Sequence, residues 1–285
     1  MYQLAAPAPL LRPFIQNYWF LRLNAGNHPI VQESIFVDGC ADLLFNFGSA
    51  YQRHNLTDPS GSGYLAVSNL DAQRLYPVAI AQQGEIYLVG VRFRPGGLSA
   101  FLTIPMHRLS DLAVDLADGV DHHLRTLEGR LYDASTEIAQ QIHLLDDYFL
   151  RRMTPTPNLA LAQQAAWRLL DGDDSLSIQR LADELGCSIR TLNRYFQQHL
   201  GFSPKQYARI VRFQEALRRL AEETHLSLAA IALGCGYFDQ SHFTHEFRSF
   251  TGQTPESYRL YLQTRRASPP PNLVQILQEE SPQPG

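Results

Sequence analysis

The chain has 285 residues, 45% of them apolar, and a formal charge of −4. That length and apolar content suit two folded domains and exclude a disordered polymer. No run of about 18 apolar residues offers a membrane span, and Cys40, Cys187 and Cys235 show neither CxxC nor any other zinc spacing. The opening MYQLAAPAPLLRPF lacks a basic segment followed by a long apolar run. The expectation is therefore a cytoplasmic protein with reduced thiols and no membrane contact.

Residues 1 to about 110 read as β-rich. Candidate strands are Tyr18–Leu23, Glu33–Val37, Asp42–Phe47, Tyr64–Val67, Leu75–Ala79 and Ile86–Phe93, divided by turn signals at Asn24-Ala25-Gly26, Asp38-Gly39 and Asp58-Pro59. Several short strands at this spacing predict a compact barrel or sandwich. After Pro95-Gly96-Gly97 the pattern turns helical, over Leu98–Leu102 and Leu109–Leu116. Leu131–Met153 is predicted as one helix, with Leu131, Ala134, Ile138, Ile142, Leu145 and Phe149 recurring by threes and fours. That narrow seam suits a partner helix or packing on its own barrel. Thr154-Pro155-Thr156-Pro157-Asn158 breaks the helix and marks a short, stiff linker.

The last third holds one unit twice. LSIQRLADELGCSIRTLNRYFQQHLGFSPKQYAR begins at Leu176, and LSLAAIALGCGYFDQSHFTHEFRSFTGQTPESYR begins at Leu226. Leu181-Ala182, Gly186, Phe196, Gly201, Pro204 and Tyr207 recur as Ile231-Ala232, Gly236, Phe247, Gly252, Pro255 and Tyr258, with one extra residue between Gly236 and Phe243. The unit reads as helix, turn, helix. Small Ala182 and Ala232 admit a crossing helix, Gly186 and Gly236 permit a positive φ, and Ser188 and Asp239 cap the second helices. This is the helix-turn-helix plan, whose second helix enters a DNA major groove.

The helix faces agree. Ile189, Leu192, Tyr195, Phe196 and Leu200 gather on one side, and Arg190, Asn193, Arg194 and Gln197 on the other. In the second unit Phe243, Phe247 and Phe250 form the apolar stripe; Ser241, His245 and Arg248 lie opposite, with Gln240 and His242 near the helix start. Arginine suits guanine, and Asn or Gln suits adenine. Lys205, Arg209, Arg212 and Arg248 are expected on phosphates. Residues 158–262 balance 11 basic against 11 acidic residues, yet Ser188–Arg219 carries seven cations and one acid. A local positive strip suffices for docking, with modest, salt-sensitive non-specific affinity.

Residues from about 158 to 262 resemble the DNA-binding domain of the AraC/XylS family of bacterial transcription regulators. The residues that carry this are Leu181, Ala182, Ser188, Leu192, Arg194, Phe196, Gly201, Ser203-Pro204, Tyr207, Arg212 and Ala216, then Ile231-Ala232, Gly236-Tyr237, Asp239-Gln240-Ser241, Phe243, Phe247-Arg248, Gly252, Pro255 and Tyr258-Arg259. The resemblance implies two units joined by a linker helix, roughly Pro204 to Ala221, in successive major-groove faces of one site. It places base contacts on Arg190, Asn193 and Arg194, and on Gln240, Ser241, His242 and His245. The phrases Val37–Phe47 and Gly90–Gly97 resemble the N-terminal domains of an AraC-like subgroup. In the wider family such a domain is often a cupin-like barrel that binds a small effector, and a helix after it often dimerises. The candidate pocket residues are Trp19, Phe36, Asp38, Phe45, Phe47, Arg92 and Phe93; the candidate dimer element is Leu131–Met153.

The expected fold is α+β: a β-rich sensing or dimerisation domain at 1–153, a linker at 154–158, an all-α double helix-turn-helix domain at 159–262, and a Pro-rich tail at 263–285. Expected partners are double-stranded promoter DNA, a small effector, RNA polymerase and a second copy of the chain. The alternative is an effector-independent DNA binder whose N-terminal half only dimerises or contacts a protein. Neither reading calls for a cofactor, a metal or catalysis. No GxSxG, Walker A or dinucleotide fingerprint occurs, and His122-His123 beside Asp121 lacks HxxxH or HExxH spacing.

Overall fold

The computed structural model describes residues 1–24, 31–58, 60, 63–118, 121–171 and 177–266. The expected turn at Ala25-Gly26 and the tail from 267 onward lie outside these residues. Among the described residues, ten strands form two antiparallel sheets: β1 Tyr2–Ala5, β2 Ile15–Asn24, β3 Val31–Ile35, β4 Ala41–Asn46, β5 Tyr51–Asn55, β6 Gly63–Ala66, β7 Asn69–Asp71, β8 Val78–Gln82, β9 Glu85–Phe93 and β10 Ala113–Asp115. One sheet runs β1-β2-β9-β4-β7-β10, the other β3-β8-β5-β6.

Period-two alternation gives the larger sheet two chemically different faces. Tyr18, Phe20, Leu43, Phe45, Leu70, Val89, Val91 and Phe93 point one way, and each is at most 2% exposed. They share a core with Leu124, Leu127 and Leu131 of α1 (His122–Asp133) and Leu145 and Phe149 of α2 (Ile138–Arg152). The opposite face begins with Trp19, Leu21, Ile86 and Leu88. Gly90 sits opposite Trp19, and a Cβ there would stand 1.9 Å from the indole. Beyond Trp19 the strand register sets Asn17, Arg92, Asp42 and Asp71 in one polar row. Arg53 reaches from β5 in the smaller sheet and clasps Asp71 with both guanidinium nitrogens, at 2.7 and 3.0 Å. Arg74 shares the same carboxylate. Two cations hold the Asp71 carboxyl below its usual range despite burial.

The helix predicted over Leu131–Met153 is two helices. α1 ends at Asp133, the chain turns, and α2 starts at Ile138. Leu131, Ala134, Leu145 and Phe149 are all buried against their own sheet, with Ile138 and Ile142 packed beside them. The seam proposed for a second copy is therefore occupied within the chain. The sequence reading missed β1, β5, β7 and β10 and placed β8 three residues early. Leu109–Leu116 is not helical: a 3-10 turn at Met106–Arg108 precedes β10, and Asp111 turns the chain at φ 67° so that Ala113 pairs with Asp71.

The C-terminal half is all helix: α3 Pro157–Leu170, α4 Ile178–Glu184, α5 Ile189–His199, α6 Pro204–Glu222, α7 Leu228–Gly234, α8 Gln240–Thr251 and α9 Pro255–Arg266. Ser177, Ser188, Ser203, Ser227 and Asp239 each accept a backbone N–H at a helix start, and Ser203 with Gln206 completes a capping box. Gly186 and Gly236 take φ 64° and 71° in the two turns, conformations that a side chain would disfavour. Phe213 of α6 lies at the centre, 5.5 Å from the Phe247 ring and 5.0 Å from Phe250.

The two halves share their packing. Phe36 and Val37, in the connection from β3 to β4, belong to the C-terminal core, where Phe36 meets the Tyr258 ring edge-on at 5.5 Å. Gln214 of α6 donates to the Val37 carbonyl. Ser99 hydrogen-bonds His199 Nδ1 at 2.6 Å, and Gln163 donates to the Pro13 carbonyl at 3.0 Å.

Candidate nucleic-acid interface

α5 and α8 are amphipathic second helices of the two repeats, and burial of their apolar stripes fixes which side chains remain outside. On α5, Leu192 and Phe196 are fully buried, Arg190 and Arg194 are exposed, and Asn193 and Gln197 are half-buried. Asn193 donates its amide to the Ile189 carbonyl at 2.9 Å, along its own helix. The Arg194 guanidinium lies 5.2 Å from the Tyr195 ring. On α8, Phe243, Phe247 and Phe250 are buried, while Gln240, Ser241, His242, His245 and Arg248 are exposed. Gln240, Ser241, Thr244, His245, Arg248 and Thr254 line one open groove of about 500 Å³. The structure thus gathers three of the four predicted readers of this unit in one concavity. His242 stands beside them, edge-on to the buried Tyr237 ring at 5.5 Å. Thr244 and Thr254 were not foreseen.

Among the predicted phosphate contacts, Lys205 and Arg248 are exposed, and no carboxylate lies within 4 Å of them or of Arg190 and Arg194 among the described residues. Arg209 and Arg212 are placed differently. Both turn inward onto Glu246 of α8, at 2.7 and 3.2 Å, and that side chain is only 4% exposed. Arg212 also lies over Tyr237 at 4.7 Å, and Arg209 over Phe250 at 5.4 Å. A buried carboxylate demands such partners, so these two arginines tie α8 to α6, while their side chains stay 40% and 29% exposed. Arg218 and Arg219 pair with Glu215. The positive strip of the sequence is consequently reduced to a few uncompensated cations on the reading faces. Glu246 was legible in one respect: it falls between Phe243 and Phe247 on the apolar stripe, where a charge signals a buried partner.

The candidate pocket residues do not converge. Phe45 and Phe93 lie in the core under α1 and α2, Trp19 lies on the opposite sheet face, and Phe36 is in the C-terminal core. Phe47 is half-buried against Tyr87 and Tyr132, at 5.2 and 5.7 Å. Only Asp38 and Arg92 meet, in an ion pair that also includes Asp42 at 2.8 Å. Asp121, His122 and His123 lie close together, but the Asp121 carboxylate caps α1 and accepts from Tyr148 and Arg152.

Two family models match: "Helix-turn-helix domain" over residues 181–260 and "Domain of unknown function (DUF6597)" over residues 3–115. The HTH-type transcriptional activator RhaS of Pectobacterium atrosepticum is 40% identical over 79 residues, which are 28% of this chain and 28% of that protein. RhaS of Enterobacter sp. (strain 638) is 34% identical over 99 residues, 35% of each chain. The chain thus aligns with about a third or less of these relatives' length. Among solved structures, ToxT from Vibrio cholerae is 11% identical, with 85% of this chain and 97% of that one covered at a TM-score of 0.44. A transcriptional regulator with an AraC-type DNA-binding domain from Chromobacterium violaceum is 29% identical over 39% of this chain and 96% of that one, at a TM-score of 0.35.

Proposed function

We propose that this chain is a sequence-specific DNA-binding transcription regulator of the AraC/XylS type, reading two major-groove faces of one site; the support is the match of residues 181–260 to a helix-turn-helix domain model and the likeness of 79 residues to the activator RhaS. The observation that carries this is the pair of reading faces. α5 offers Arg190 and Arg194, and α8 offers Gln240, Ser241, His245 and Arg248, all exposed and each helix anchored by a buried stripe. Both flank the 19-residue α6, about 28 Å long at 1.5 Å per residue. That length is of the order of one duplex turn, the spacing of successive major-groove faces. Selection of bound duplexes from a random library by the full chain tests it: two short enriched blocks about one turn apart are expected. Arg194→Ala should cost about 1–3 kcal/mol at the selected site and relax base choice at one position. Equal weakening on every sequence would move Arg194 to the phosphate contacts, and no enrichment by the full chain or by residues 158–285 would overturn the function.

The finer reading is that a small polar effector binds between the two sheets. Its support is a set of buried polar atoms without a protein partner: Asn17 Oδ1, Trp19 Nε1, Asp42 Oδ1 and Asn69 Oδ1. All four residues lie on the sheet face that Arg53 crosses to reach Asp71. Buried unpaired groups each cost about 1–3 kcal/mol unless water or a ligand completes them. Arg92 extends this row to Asp38, two residues from Phe36 in the C-terminal core. A ligand displacing Asp38 or Asp42 from Arg92 would therefore be felt by the loop that touches α6 and α9. Ligand-dependent melting of the full chain is the check; a filled interior without any such shift leaves the N-terminal half a structural or protein-contacting domain.

A further inference from the structure

We infer that Phe238 is a base-reading residue of the second unit and that its target is the 5-methyl group of a thymine. The inference rests on the DNA-reading function proposed above. It begins with the one length difference between the repeats. In the first unit Gly186 is followed by Cys187 and the cap Ser188; in the second, Gly236 is followed by Tyr237, Phe238 and the cap Asp239. The added turn residue is an aromatic.

Tyr237 is turned into the core, 3% exposed and 5.0 Å from the Phe243 ring. Phe238 is turned out, 86% exposed, more than any other large apolar side chain among the described residues. A single exposed apolar residue is ordinary on a protein surface. Its position is what gives this one meaning. Phe238 directly precedes the cap of α8, and a recognition helix meets base edges with its N-terminal residues. The Asp239 carboxylate accepts the His242 N–H at 2.7 Å and fixes the first helical turn. The next two residues, Gln240 and Ser241, line the groove of the reading face. A phenyl ring has no donor for phosphate and no polar atom for a guanine, adenine or cytosine edge. Thymine alone presents an apolar group in the major groove.

The test uses the full chain and the duplex it selects. Each thymine facing the second unit is replaced in turn by uracil, which removes only the methyl group, and affinity is measured by fluorescence anisotropy at constant salt. One replacement should weaken binding about fourfold, the worth of one buried methyl-sized group. Phe238→Ala should bind the thymine and uracil duplexes equally, and Phe238→Leu should keep the discrimination. The exposed side chain makes no core contact, so both variants should melt with the parent. A flat uracil scan, a selected block without thymine, or unchanged discrimination in Phe238→Ala overturns the inference while DNA reading stands. Failure to select any duplex overturns both.

Discussion

The two helix-turn-helix units share a sequence plan but are held by different parts of the molecule. The first is gripped at the end of α5 by the N-terminal domain: Ser99 bonds His199, Ser110 donates to the Gly201 carbonyl at 3.1 Å, and Gly96 lies against Leu200. The second is tied from within, through Glu246 to Arg209 and Arg212 of α6, and touches the N-terminal domain where Phe36 meets Tyr258. A change in the N-terminal domain thus reaches the first reading helix directly. It reaches the second through the loop at Phe36, through Leu56 beside Gly252 at the end of α8, and through the linker helix.

The largest expected effect separates two glycines that occupy the same place in the repeat. Gly201 and Gly252 have φ 79° and 77°, so alanine costs each about 1 kcal/mol in backbone terms. At Gly201 the new Cβ would stand 2.1 Å from Ser110 Oγ and 2.2 Å from Gln73 Nε2, inside the domain seam. At Gly252 it would meet Leu56 at an ordinary 3.4 Å. Overpacking adds about 2 kcal/mol at the first site only. Gly201→Ala should therefore lose about 3 kcal/mol in urea unfolding and Gly252→Ala about 1 kcal/mol. Equal losses would show that the seam yields freely and that the contrast between the units is not mechanical.

Next in size is the internal tie of the second unit. Glu246→Ala leaves Arg209 and Arg212 without their shared carboxylate; because both are partly exposed, water recovers some of the loss. The cost should be about 2 kcal/mol, below that of a fully buried pair. The selected DNA motif should blur in the block read by α8 and stay sharp in the block read by α5. Unchanged selection in both blocks would remove Glu246 from the positioning of α8.

How much of this was legible beforehand follows the length scale of each signal. The two helix-turn-helix pairs came through in part because the caps Ser188 and Asp239 act on backbone groups only three residues away. The exposed and buried faces of α5 came through because a 3.6-residue period sorts Arg194 from Phe196 without knowledge of the fold. β5 and β7 did not. Arg53 and Asp71 look like surface charges until a second sheet brings them together at 2.7 Å. The pairing of Arg209 and Arg212 with Glu246 was hidden for the same reason, since that partner lies more than thirty residues away in the chain. The break at Ala134–Glu137 was hidden because Leu131, Ala134 and Ile138 keep helical spacing across it. The pocket residues were chosen by type, and type alone does not tell which of three cores an aromatic enters.

The smallest effect expected is pH-dependent and belongs to the first unit alone. His199 occupies the place in its repeat that Phe250 holds in the second, three residues after Phe196 and Phe247 respectively. It is buried, its Nδ1 bonds Ser99, and its Nε2 has no partner. Protonation would bury a positive charge whose Nε2–H has no partner in the seam, and burial accordingly lowers the imidazole pKa. The unfolded chain titrates near the ordinary value of about 6.5. Below that pH the unfolded state binds the proton and the folded state does not, so stability falls as pH drops, until the lowered folded value is reached. Above about 7 the contribution is flat. Carboxylates elsewhere titrate too, so the informative quantity is a difference. Urea midpoints of the parent and of His199→Gln, compared at pH 8 and pH 6, should show the parent losing more on acidification. The same acid sensitivity in both proteins would mean that the imidazole titrates freely and that the seam at the first unit is open to water.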